Sequence, residues 1–142
     1  MHNGGDHSDV VSVSFPATFA EVAKVLQRTM VAPALGDLSL ARLRDLELVL
    51  AESLNNVVEH AYADAGLGEV RLNVSRDAGL VRLEIGDDGI VMPTTFAQGS
   101  TGEEPHDEGG RGWLLIRSLC KSVEYQRVSE RNRLILEFVS SD

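Results

Sequence analysis

The chain reads as an α+β domain, a two-layer α/β sandwich in which a mostly antiparallel mixed sheet is covered on one face by about three helices. Two pairs of alternating strands are each joined by a short turn, so hairpins dominate and set the strand directions. The stretches between them carry a single apolar stripe at helical spacing, which calls for one layer of helix on one layer of sheet. A length of 142 residues suits one such domain with one core.

Each element has its own signal. Residues 1–9 are polar and read as a disordered tail, with His2 and His7 more easily explained as part of a frayed end than as metal ligands. Residues 10–142 are expected to form the single domain. Val11, Val13 and Phe15 alternate with Ser12 and Ser14, the pattern of a strand with one buried face. Thr18 and Glu21 stand at capping-box spacing, predicting a helix towards Ala32 that Pro33 and Gly36 end. A longer helix is expected over 39–62, with Leu43, Leu46, Leu50, Leu54, Val57 and Ala61 as its apolar stripe and Gly66 and Gly68 closing it. Val70, Leu72 and Val74, then Val81, Leu83 and Ile85, form a hairpin around Asp77-Ala78-Gly79. Residues 92–108 show no period and are rich in Thr, Gly, Pro and acidic side chains; a loop of that length is functional or disordered, and it reads as a lid. A helix over 112–121 and strands over 123–128 and 133–139 complete the domain, with Glu130-Arg131-Asn132 as the last turn.

Composition narrows the function. A net charge of −9 argues against a nucleic-acid binder, which needs clustered cations, and permits a protein partner with a basic patch. A hydrophobic share of 43% against 25% charged fits a soluble globular protein rather than a disordered one. No apolar run reaches the length of a membrane span, and the opening residues do not read as a secretion signal. The lone Cys120 has no internal partner, so a reducing cytoplasm is the expected compartment; its place on an apolar helix pattern marks it as core rather than nucleophile.

Three short segments carry chemistry. In the long helix, Glu52, Asn56 and Glu59 project from one side. A solvated polar face is the simplest account of them. Leu48 and Val49, one turn earlier on the same side, instead suggest polar groups set into a partly buried surface, where they need partners. An Asn carbonyl is a hard oxygen ligand suited to Mg²⁺ bound through substrate phosphates, and Glu52 is placed to take a proton from an attacking hydroxyl. Asp87-Asp88-Gly89 follows a strand and alone is an ordinary turn. Functionally, one carboxylate there would accept from an adenine amino group while Gly89 lets the backbone pass close to the base. Gly109-Gly110-Arg111-Gly112 precedes an apolar helix holding Trp113, Leu114, Leu115 and Ile116. It serves either as a hinge or as a phosphate-binding helix entry. It is not a Walker sequence, since no Lys-Ser or Lys-Thr follows.

In this order and spacing the motifs resemble the GHKL ATPase superfamily, with its Bergerat fold, and within it the anti-sigma-factor serine/threonine kinases of bacterial stress and sporulation switches. Glu52 and Asn56 leading into Glu59-His60-Ala61-Tyr62 carry the resemblance furthest. It implies ATP and Mg²⁺ as cofactors. It also implies Glu52 as general base towards a serine or threonine of a protein substrate, Asn56 as Mg²⁺ ligand, Asp87 as adenine acceptor and Gly89 beneath the base. Gly110 and Gly112 would cradle phosphates, Arg111 would add a phosphate contact or reach a partner, and His60 and Tyr62 would be structural ends of the helix. The implied substrate is a STAS-domain antagonist of the anti-anti-sigma type, the alternative partner a sigma factor or other regulator, and the assembly a homodimer.

Three positions depart from the family pattern: Val91 replaces a common second glycine, Arg111 stands where an apolar residue is usual, and Ile135 falls near a late-strand threonine that touches the adenine site. They keep open a second reading, a non-catalytic module that sequesters a partner with weak or structural nucleotide binding. A histidine-kinase catalytic fragment has less support, since no helical hairpin with a phosphorylatable histidine is read here. A hydrolytic ATPase, which usually has further coupling domains, has less still.

Overall fold

The computed structural model describes residues 8–61, 68–89 and 108–141. Alternating apolar residues form β1 (Ser8–Pro16), β2 (Glu69–Asp77), β3 (Leu80–Asp87), β4 (Ser122–Val128) and β5 (Arg131–Val139), which lie in the order β1-β2-β3-β5-β4. All four pairings are antiparallel. The helices are α1 (Phe19–Met30), α2 (Leu40–Ala61) and α3 (Glu108–Leu119), with a 3₁₀ turn over Pro33–Leu35. The expected α+β sandwich is therefore the observed architecture, with no parallel strand pair among the described residues.

Register places the apolar set on one face. Leu83 stands between Val74 of β2 and Leu136 of β5, and Ile85 between Leu72 and Leu134. Leu46, Leu50, Leu54 and Val57 of α2 pack with that face, joined by Val22 and Val25 of α1 and by Trp113 and Ile116 of α3. The other face carries Ser12, Ser14, Arg71, Asn73, Glu84 and Arg133 and has no helix over it among the described residues. The Arg133–Glu84 ion pair there spans 2.6 Å, but both side chains are well hydrated, so water screens it and it adds little to stability.

Local signals account for the ends of the helices. Thr18 Oγ1 accepts from Glu21 N–H at 3.2 Å and caps α1. Ser39 Oγ accepts from Arg42 N–H at 3.1 Å, so Ser39 caps α2 rather than belonging to it. Arg42 then ties the start of α2 to the end of the sheet: Nη2 donates to the Val139 carbonyl at 2.7 Å, and the guanidinium lies 4.2 Å from the Phe138 ring centre.

Several boundaries differ from expectation. β1 starts at Ser8, pairing Ser8 with Arg76 and Asp9 with Ser75, so these two residues belong to the sheet rather than to a tail. α3 is already helical at Glu108, which places Gly109, Gly110 and Gly112 inside the helix rather than before it. The last turn is Ser129-Glu130, closed by the Val128–Arg131 pair, while Arg131 and Asn132 are strand residues. Cys120 directly follows α3 and packs against the core; burial pushes its thiol up to about 12, which keeps it in the neutral form at pH 7. Tyr62, Gly66, Val91 and the segment read as a lid, up to residue 107, lie outside the described residues, as do His2 and His7.

Candidate functional site

The face of α2 that carries Leu46, Leu50 and Leu54 is fixed by the core, and this orients the rest of the helix. Glu52 and Asn56, one turn apart, are turned towards α3. There Gly112 lets the backbones meet: a Cβ built on Gly112 would lie 2.5 Å from Glu52 Oε1 and 3.3 Å from Asn56 Nδ2. The glycine thus has a packing reason independent of any turn. Asn56 is only 5% exposed, and its Nδ2 has no hydrogen-bond partner among the described residues. Leaving such a group buried and unpaired costs about 1–3 kcal/mol, and a half-turn of the amide would put its oxygen in the same place. An orphaned amide beside a carboxylate is the donor set expected where phosphate and a hard cation bind. No cluster of three acidic, His or Cys ligands occurs among the described residues, so a cation here would keep waters and phosphate oxygens as its other ligands.

Strand alternation separates the two aspartates of Asp87-Asp88. Asp87 ends β3 on the helix-covered face, 1% exposed. Asp88 turns to the other side, where Arg71 at 3.3 Å and Arg131 at 3.5 Å engage it. Asp87 Oδ1 accepts from Gly89 N–H at 2.8 Å and from Asn132 Nδ2 at 2.9 Å. Oδ2 has no partner among the described residues. Burial pushes the Asp87 carboxyl above the usual aspartate value, and the Asn132 and Gly89 bonds only partly offset this. One oxygen is thereby anchored by two donors.

Asn132 is the site residue that sequence reading missed. Asparagine beside Glu and Arg is ordinary turn composition, and only the register shows it to be a strand residue paired with Asp87. It is 3% exposed. Its Oδ1 accepts from the Tyr125 hydroxyl and from Arg127 Nη1 at 3.0 Å, and Arg127 Nη1 also donates to the Gly89 carbonyl at 2.8 Å. Alternation along β5 puts Ile135 on the face opposite Asp87, opposite Glu84 instead. The departure read at Ile135 therefore does not touch the Asp87 site. Gly110 and Arg111 are in the first described turns of α3, and the Arg111 side chain is outside the description. A hollow of about 380 Å³ lies on the uncovered face, lined by Ser12, Arg71, Asn73, Gly86 and Arg133 among others; Glu52, Asn56 and Asp87 are not among its walls.

The pattern of the histidine kinase-like ATPase domain matches residues 15–138. The chain belongs to this family. Two relatives with similar sequence are named as protein kinases acting on serine or threonine. The chain is 34% identical over 107 residues to the serine/threonine-protein kinase BtrW of Bordetella bronchiseptica, covering 72% of this chain and 75% of that protein. It is 30% identical over 89 residues to the serine-protein kinase RsbW of Oceanobacillus iheyensis, covering 58% of this chain and 56% of that protein, so it spans little more than half of the second relative. Among solved structures, the SiaB–SiaC complex of Pseudomonas aeruginosa superposes with a TM-score of 0.61 at 10% identity, over 93% of this chain and 91% of that one. The RsbU and RsbW domains of a Mycobacterium tuberculosis protein superpose at 0.56 and 16% identity, over 91% and 32%. At those identities the structures speak for the fold, and the sequence relatives speak for the branch. The nucleotide of this family is ATP.

Proposed function

We propose that the chain is a partner-switching protein kinase that transfers the γ-phosphoryl group of ATP to a serine or threonine of a STAS-type regulator. The same chain would hold an alternative partner, a sigma factor or another regulator, and would act as a homodimer. The observation that supports the kinase reading best is the meeting of Glu52 and Asn56 at Gly112, at the N-terminal part of a helix. Glu52 takes the proton of the substrate hydroxyl as its oxygen attacks the γ-phosphorus and the bond to the ADP oxygen breaks. Asn56 would hold Mg²⁺, which would supply positive charge to offset that developing on the phosphates. Gly110, Arg111 and Gly112 line the phosphate side, where the positive end of α3 favours anions. Asp87 Oδ2 accepts from the adenine amino group, with Gly89 beside the base.

The test is paired titration and transfer with radiolabelled ATP and a purified STAS protein from the same genome. Glu52→Ala is expected to bind ATP as the wild type does and to lose labelling by at least about a hundredfold, the scale of general-base catalysis. Labelling of the substrate at the wild-type rate would remove Glu52 from the base role. Failure of Asn56→Ala to change either Mg²⁺-ATP affinity or partner binding would favour the sequestering module instead.

A further inference from the structure

The edge strand β4 supplies none of the side chains that meet at Gly112, yet two of its side chains reach the Asp87 group. Arg127 is opposite Asn132 in the β4–β5 ladder, and Asn132 is opposite Asp87 in the β5–β3 ladder, so one row crosses three strands. Tyr125, two residues before Arg127, shares its face. Both donate to Asn132 Oδ1, the tyrosine through its hydroxyl and the arginine at 3.0 Å. An amide oxygen has two lone pairs, and here both are taken. Oxygen and nitrogen of the Asn132 amide then cannot exchange places, and its NH₂ must face Asp87, where it donates at 2.9 Å. Arg127 fixes a second point of the same loop through the Gly89 carbonyl at 2.8 Å, while the Gly89 N–H donates to Asp87 at 2.8 Å.

Together with the nucleotide reading above, on which it rests, this row points to a role for β4 that no catalytic motif predicts. We propose that Tyr125 and Arg127 are positioning residues for the purine base: they lock the Asn132 amide and the Gly89 loop so that Asp87 presents one unengaged acceptor oxygen to a 6-amino group. A 6-amino purine donates to that oxygen. A 6-oxo purine sets its own lone pairs against it, and the locked amide cannot turn to relieve the clash. The row therefore sets selectivity for adenine over guanine nucleotides, and it does so from a strand that never touches the base.

The experiment is calorimetric titration of the full chain with Mg²⁺-ATP and, separately, Mg²⁺-GTP, for wild type, Tyr125→Phe, Arg127→Met and Arg127→Lys, with thermal unfolding alongside. Tyr125→Phe keeps the ring and removes only the hydroxyl, so it isolates the lock from packing. Tyr125→Phe and Arg127→Met should each weaken ATP by about five- to thirtyfold, the worth of one or two hydrogen bonds, with GTP little changed, so that the ATP:GTP ratio falls by the same factor. Arg127→Lys should recover part of the ratio. An unchanged ratio in both variants, or equal losses for ATP and GTP, would overturn the positioning role and leave the row a staple of the hairpin. A wild-type chain that binds no ATP would overturn the nucleotide reading itself, a result visible before any variant is made.

Discussion

At the scale of single residues, Gly112 and Asp87 make the sharpest demands. Ala at 112 would improve helix propensity by about 0.8–1 kcal/mol, yet its Cβ would fall 2.5 Å from Glu52 Oε1. The flexible carboxylate is the part that moves. Gly112→Ala should therefore leave the urea midpoint near or above that of the wild type while cutting phosphotransfer more than tenfold; transfer at the wild-type rate would show that the Glu52 position does not matter. For Asp87 the folded-state pKa is raised by burial. A raised carboxyl takes up a proton in the folded state before the unfolded one does. Its contribution thus destabilises above the folded pKa, and the penalty is relieved as pH falls through that value, fully so below the unfolded value of 3.8. Asp87→Asn can keep both Oδ1 contacts and turns an NH₂ towards the ligand. It should be at least as stable as wild type at pH 7, lose the acid-side gain, and lose ATP binding, with any residual affinity shifted towards GTP. Calorimetry across pH 4–8 reads all three.

At the scale of elements, the β4–β5 hairpin shows best what a sequence hides. Its two central residues, Ser129 at φ 52° and Glu130 at φ 64°, both occupy the left-handed region, as a two-residue I′ turn requires. Neither is Gly or Asn, so the sequence signal shifted the turn to Glu130-Arg131-Asn132 and put a buried strand residue into a loop. The Ala78-Gly79 turn, by contrast, has the glycine its geometry needs at φ 75° and was legible. Each left-handed non-glycine residue costs roughly 1–2 kcal/mol. Ser129→Asn with Glu130→Gly is expected to raise stability by about 1 kcal/mol in chemical denaturation; a loss would mean that the turn is held by contacts the original side chains make. The same reasoning explains the site. Glu52, Asn56 and Asp87 could be named because helical spacing and a strand end fix them locally. Asn132 could not, because its partnership with Asp87 depends on pairing between residues 45 positions apart. Ile135 was misjudged for the same reason: a one-residue difference in register decides which face a strand residue occupies.

Across the whole molecule, the α2 stripe ties fold and site together. Leu50 is fully buried between the sheet and the other helices, so Leu50→Ala should cost about 2–5 kcal/mol, a large part of the stability of a domain this size. ATP binds only the folded chain in the proposed reading. At a hundred times its dissociation constant it should return about 2.7 kcal/mol to the Leu50→Ala protein, and none when Asp87→Asn is added. Unfolding curves with and without nucleotide give the answer, and equal rescue in both proteins would detach Asp87 from the ligand. The layered architecture itself was readable from periodicity, because one apolar face per element leaves few ways to stack.

Trp113, the only tryptophan in the chain, directly follows Gly112 and is 2% exposed. The protein therefore carries its own optical reporter at the point where α3 meets Glu52 and Asn56. In the resting chain its emission should be that of an indole shielded from water. A ligand or partner that reseats α3 would change the intensity or colour of that single emitter, with no label attached and no background from a second one. Stopped-flow fluorescence could then time the arrival of nucleotide separately from the arrival of a protein partner.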